Sequence, residues 1–235
     1  MQWFIFGLRN ESEYAAQHAL APYAAPLRFA AQVKREPSAS WQEGTVSRNR
    51  WGPEGPPAEA YSRVTNPGRF APLHEFAERL LDRLESEFDV DRREGIELDP
   101  ELKAHDLAGP SIELTPRTAD GARLLVSFTT FPGLVVRAGQ WYSEPIPSCG
   151  CDACDESAES AIERLSWLVE NVTRGHFREV LSLPLLLGDA WKTTEMGASN
   201  VGRRESARMR IPRKRAREML ANSRNDYQWK PWPRR

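Results

Sequence analysis

The sequence predicts an α+β domain in which a small antiparallel β-meander of three or more strands packs against two or three α-helices. Three observations carry that expectation. An amphipathic helical pattern follows Pro72, short β-branched segments separated by turn residues fill 111–141, and a second apolar helical stripe begins near Ser157. The order helix, strands, helices places the helices together on one face of a sheet.

The first helix is read from Leu73, Phe76, Ala77, Leu80, Leu81, Leu84 and Phe88, which recur at i, i+3, i+4, while Glu75, Glu78, Arg79, Asp82, Arg83 and Glu85 take the opposite side. The stretch Asp89–Asp106 is charged and reads as a loop. Strands follow at Ser111–Thr115, Arg123–Thr130 and Leu134–Trp141, punctuated by Pro116, Asp120, Gly121, Pro132 and Gly133. Phe131-Pro132-Gly133 is too short for a crossover, so the second and third strands form a hairpin. Pro145 and Pro147 close the last strand. In the second helix Ala161, Ile162, Leu165, Leu168, Val169 and Val172 make one stripe up to Gly175, and Phe177–Leu183 reads as a third, short helix stopped by Pro184.

The chain has 235 residues, 40% of them hydrophobic and 28% charged, with a mean hydropathy of −0.59. These values suit one domain with appendages: an N-terminal arm over 1–33, a Pro/Gly-rich linker over 34–57, the α+β domain over 58–190 and a basic, partly disordered extension over 191–235. No run of 18 apolar residues exists, so no membrane contact is expected. The N-terminus MQWFIFGLRNE has no cation ahead of its apolar patch, and three cysteines cannot all pair within a chain, so the expected location is cytoplasmic with reduced thiols.

The formal net charge of −1 hides a division. Residues 203–235 hold 12 Lys/Arg against Glu205, Glu218 and Asp226, a net of +9, which leaves −10 on the rest of the chain. A helix is expected after Pro212, and Trp229 and Trp232 are interleaved with Lys230, Arg234 and Arg235. Cations with aromatics can hold phosphates and stack bases, so nucleic acid, or an acidic protein surface, is an expected partner of 203–235.

The most unusual segment is Pro147–Glu156, PSCGCDACDE. It accompanies Tyr61-Ser62-Arg63-Val64-Thr65-Asn66-Pro67, Arg69-Phe70, Phe131-Pro132-Gly133, Val136-Arg137-Ala138-Gly139, Trp141-Tyr142, Phe177-Arg178-Glu179 and Leu183-Pro184-Leu185. In this order the motifs resemble an uncharacterised, mainly actinobacterial domain-of-unknown-function family over about residues 58–190. The resemblance implies no activity, substrate or cofactor.

Three readings of the cysteine loop stay open. Cys149, Cys151 and Cys154 are close enough to share zinc, which takes three thiolates and one further ligand. Asp152, Asp155, Glu156 and, above all, His176 are the candidates for that ligand; His74 and His105 need a tertiary contact. Alternatively the thiols only pack a tight turn, with Gly150 at positive φ and Asp155 or Ser157 capping the next helix. The third reading is a thiol enzyme with Cys154 as nucleophile at a helix N-terminus. His18 shows no catalytic spacing, Trp141 and Tyr142 suit packing or a shallow pocket, and Arg137 alternates to solvent or binds an anion beside Arg123. The first choice is a non-catalytic binding or interaction module with a three-cysteine loop. Nucleic-acid binding and thiol catalysis are the alternatives.

Overall fold

The computed structural model describes residues 51–95, 107–185, 187–197, 205–221 and 223–235, all within one compact unit, Trp41–Arg235. The expected arm and the linker up to residue 50 lie outside the described residues, as do His18 and His105.

Helix α1, Pro72–Glu87, starts with proline at its first position, where the missing N–H costs nothing, and buries Leu73, Ala77, Leu80, Leu81 and Leu84. Strands β1 (Val90–Glu94), β2 (Ile112–Pro116), β3 (Leu124–Phe128), β4 (Leu134–Ala138) and β5 (Tyr142–Ile146) form an antiparallel meander in chain order. Its register aligns Leu114, Leu124 and Ala138 on one face, and all three are buried. Helix α2, Ala158–Thr173, packs on α1 and meets β5 and the later strand Ala190–Met196. Its start is fixed by a reciprocal capping box between Ser157 and Ser160. A second antiparallel sheet has the order β8–β7–β6–β9, from β6 (Phe177–Ser182), β7 (Ala190–Met196), β8 (Glu205–Ile211) and β9 (Asp226–Gln228). Helix α3, Arg213–Leu220, covers a small core of Leu181, Ala190, Ile211 and Ala216. The architecture is α+β.

Four local expectations are corrected. Val90–Glu94, read as loop, is a strand: Val90 points inward, and its other residues suit the charged edge of a sheet. Tyr142–Ile146 is a fifth strand rather than the end of the fourth, and Pro145 is tolerated because β5 is also an edge. Phe177–Ser182 is a strand and not a helix. Phe177, Glu179 and Leu181 alternate inward, and pairing on both sides overrides the helical spacing of Phe177 and Leu181.

The fourth correction concerns the basic extension. Its described residues supply all but the first residue of β7 and all of β8, α3 and β9, and the terminal segment is built into the body. Trp232 is 3% exposed, donates Nε1–H to the Ala122 carbonyl (2.9 Å) and stands edge-on to Phe88 (5.6 Å). Backbone bonds from Trp232 to Thr173 (2.9 Å), Asp89 to Pro233 (2.8 Å) and Arg235 to Glu87 (3.1 Å) lay the end of the chain across the ends of both long helices. Trp229 is buried as well, so neither tryptophan offers a face for stacking a base.

The two sheets are joined by Glu179 of β6, which is 0% exposed. Its carboxylate accepts from the backbone N–H of Gln140 and Trp141 (2.8 Å each) in the β4–β5 turn, and from Trp229 Nε1 (3.0 Å). Gly139 opens that turn at φ 59°. A Cβ there would lie 2.8 Å from both the Trp229 indole nitrogen and the Phe177 ring, so the close approach needs glycine.

Trp232→Ala is therefore expected to cost about 3–5 kcal/mol in a denaturant titration. A loss under about 0.5 kcal/mol, the scale of a surface change, would mean the terminal segment is not part of the core.

Candidate functional site

The cysteine loop crosses from β5 to α2 and is held by an anchor that precedes α1. That anchor contains two 3₁₀ turns, Ala58–Tyr61 and Pro67–Phe70. Backbone N–H groups of Asp152 and Ala153 donate to the carbonyls of Arg63 (2.8 Å) and Ala60 (3.2 Å). In return the buried Asp152 carboxylate accepts from Thr65 N (2.8 Å), Thr65 Oγ1 (2.5 Å) and Arg63 Nε (3.0 Å). Those donors, the Thr65 hydroxyl first, hold its pKa down to about 2.

Arg69 works on the loop's carbonyls. It donates from Nε to Glu156 O and from Nη2 to Gly150 O (3.0 Å each), while its guanidinium lies 4.4 Å from the Phe70 ring centroid. The Glu156 carboxylate accepts from the N–H of Cys149 (3.3 Å) and Ser148 (3.4 Å), and burial pushes its pKa up. Gly150 does not take the positive φ expected of it; Asp155 does, at 48°. Glycine is needed at 150 for another reason, because a Cβ would overlap the Phe131 ring.

With those bonds made, the loop gathers its sulfurs. The Sγ atoms of Cys149, Cys151 and Cys154 lie within 4.8 Å of one another, and all three thiols are free of disulfides. Cys151 is buried, Cys149 half-buried and Cys154 exposed. The Cys149 thiol is pulled down to about 5, first by the hydrogen bond from Cys154 and then, against burial, by the Cys151 N–H (3.5 Å). Cys154 is pushed up by the same bond. In this geometry Cys149 accepts and is the thiol pulled down, whereas Cys154 was the one expected from its place before a helix.

Among the described residues no fourth His, Cys, Asp or Glu joins this group. His176 follows the far end of α2, whose 16 residues rise about 24 Å, and is not grouped with the sulfurs. It is not their partner here. His74 is engaged elsewhere, donating from Nε2 to Gly133 O (2.8 Å) and standing edge-on to Phe128. Trp141 and Tyr142 stand edge-on to Tyr227 and Phe177. Arg137 is half-buried rather than solvent-facing, and Arg123 is spent on Gly139 O (3.1 Å) and Glu113 (3.4 Å).

Residues 39–235 match the family of unknown function DUF6226. The chain belongs to DUF6226. The family match reaches beyond residues 58–190 at both ends and takes in β8, α3, β9 and the buried tryptophans, in keeping with their place in the fold. No curated protein and no solved structure matches this DUF6226 chain.

Spacing pointed to the cysteines and offered Asp152 as a ligand, but its carboxylate faces Thr65 and Arg63 instead, and nothing local assigned a role to Thr65, Arg63 or Arg69. Their signal was the Tyr61–Phe70 motif, whose polar residues meet the loop across more than 80 positions of chain.

The Asp152 anchor has a pH signature. A carboxyl whose folded pKa of about 2 lies below the ordinary value of about 3.9 stabilises the fold fully above that ordinary value and loses the contribution as pH falls through the folded one. Asp152→Asn should therefore be less stable than the native chain by a constant margin above about pH 5, with the margin closing toward pH 2. Chemical denaturation across that range measures it; a margin independent of pH would remove the carboxylate from the anchor.

Proposed function

We propose that the chain is a non-catalytic binding or interaction module whose Cys149–Cys151–Cys154 loop holds a thiophilic metal ion, zinc by preference. One observation carries the reading: three thiol sulfurs lie within 4.8 Å of one another. Tetrahedral zinc with bonds of about 2.3 Å sets its sulfurs about 3.8 Å apart, so closure needs only small side-chain rotations. The surrounding hydrogen bonds support it. Glu156 and Arg69 satisfy the loop's own backbone and Asp152 ties it to Thr65, while the sulfurs turn toward one another and the Cys151 N–H. Three protein ligands leave the fourth position for a water molecule or an incoming donor on the side of exposed Cys154.

Zinc there would tie the end of β5 to the start of α2, supplying stability and a fixed surface around the loop. The thiol-enzyme alternative, centred on Cys154, would involve Cys149 as well, because the two thiols share a hydrogen bond in which Cys149 is the one pulled down.

Protein purified without chelator should carry about one zinc per chain, lose it on Cys149→Ser or Cys151→Ser, and melt at lower temperature after chelation. A metal-free preparation whose three thiols all react freely would reject the metal. Rapid alkylation of Cys149 or Cys154 alone near neutral pH, in that same preparation, would favour the enzyme instead.

A further inference from the structure

The β6–β7 connection has the sequence Leu183-Pro184-Leu185-Leu186-Leu187-Gly188. Two of its side chains have almost no protein around them: Leu185 is 92% exposed and Leu187 88%. Its base is buttressed. Leu183 packs, with Met219 and Leu220, against the core of Leu181, Ala190, Ile211 and Ala216. Arg213 at the start of α3 donates from Nη1 to Pro184 O (2.7 Å), and Arg210 of β8 pairs with Asp189 (2.5 Å). Leu185 and Leu187 therefore project from a supported hairpin end.

The elements that hold this hairpin also carry its charge. Arg208 and Arg210 on β8, and Lys214 and Arg217 on α3, are exposed. Glu218 and Asp189 are the acids beside them, and Asp189 is paired with Arg210. An apolar tip is thus placed next to a cationic skirt, which is the charge complement of an anionic surface.

We infer that the β6–β7 tip and the β8–α3 cations dock on an anionic phospholipid surface, with Leu185 and Leu187 entering the acyl boundary and the cations meeting headgroup phosphates and carboxylates. A convex aliphatic tip needs a medium that closes around it, and an acidic bilayer provides that together with negative charge at the same depth. A protein partner would need a preformed apolar pocket with an acidic rim. The contact is peripheral, since among the described residues no helix is long and apolar enough to cross a membrane, and it departs from the expectation of no membrane contact, which was drawn from the lack of a long apolar run.

Flotation of the full chain with phosphatidylcholine vesicles containing phosphatidylserine, against phosphatidylcholine alone, tests this. Binding is expected only to the serine-containing vesicles, several-fold weaker at high salt. It should fall about tenfold or more in L185D/L187D, whose substitutions are at exposed positions and should leave the thermal melt unchanged. K214E/R217E should weaken it several-fold. A native chain that ignores acidic vesicles, binds neutral ones equally, or keeps its binding in L185D/L187D overturns the inference; the first of these results would return the tip to a protein partner.

Discussion

The buried carboxylate of Glu179 is the constraint around which this molecule is arranged. A charged group removed from water is costly unless it is hydrogen-bonded. Here three donors from distant parts of the chain converge on it: two amides of the β4–β5 turn and the indole of Trp229. Burial raises its pKa even so, which marks how strongly the site depends on those donors remaining in place. The consequence is topological. One side chain locks the five-stranded sheet, the four-stranded sheet and the C-terminal segment to one another.

The second tie between the sheets is ionic and runs through α2. Arg164 forks onto Glu144 of β5 (2.8 and 2.9 Å) and reaches Glu205 of β8 (2.5 Å). At the start of the same helix, Ser157 and Glu156 terminate the cysteine loop. The loop is thereby fixed at one end by a helix held to both sheets, and at the other by the Asp152–Thr65–Arg63 anchor. A thiol cluster on such a mount is positioned before any ligand arrives, which reduces the ordering cost of binding one.

How much of this was legible follows from the physics of each segment. Helix α1 could be read because its leucines keep a 3.6-residue period, and α2 because Ser157 opens an apolar stripe that Gly175 closes. The β3–β4 hairpin announced itself through Phe131-Pro132-Gly133. By contrast β1 and β8 are edge strands, whose charged residues erase the alternation that reveals an interior strand. Strand β6 misled for a different reason: its inward row includes Glu179, and a polar residue in a buried row is recognised only once its donors are known. The cysteines were legible as a cluster, because spacing alone brings them together. Their supports were not, since Arg63, Thr65 and Arg69 act through tertiary contact. His176 does not join the cysteines, because the run of α2 separates the two segments and the chain does not fold back to close that gap.

The central claim is that three sulfurs of one loop form a common coordination point. X-ray absorption at the zinc edge of the purified 235-residue chain addresses it directly. The account predicts a shell of three sulfurs near 2.3 Å with one lighter neighbour. A spectrum with no metal–sulfur shell, or with one sulfur amid nitrogen and oxygen, would show that the cysteines share only a turn of backbone.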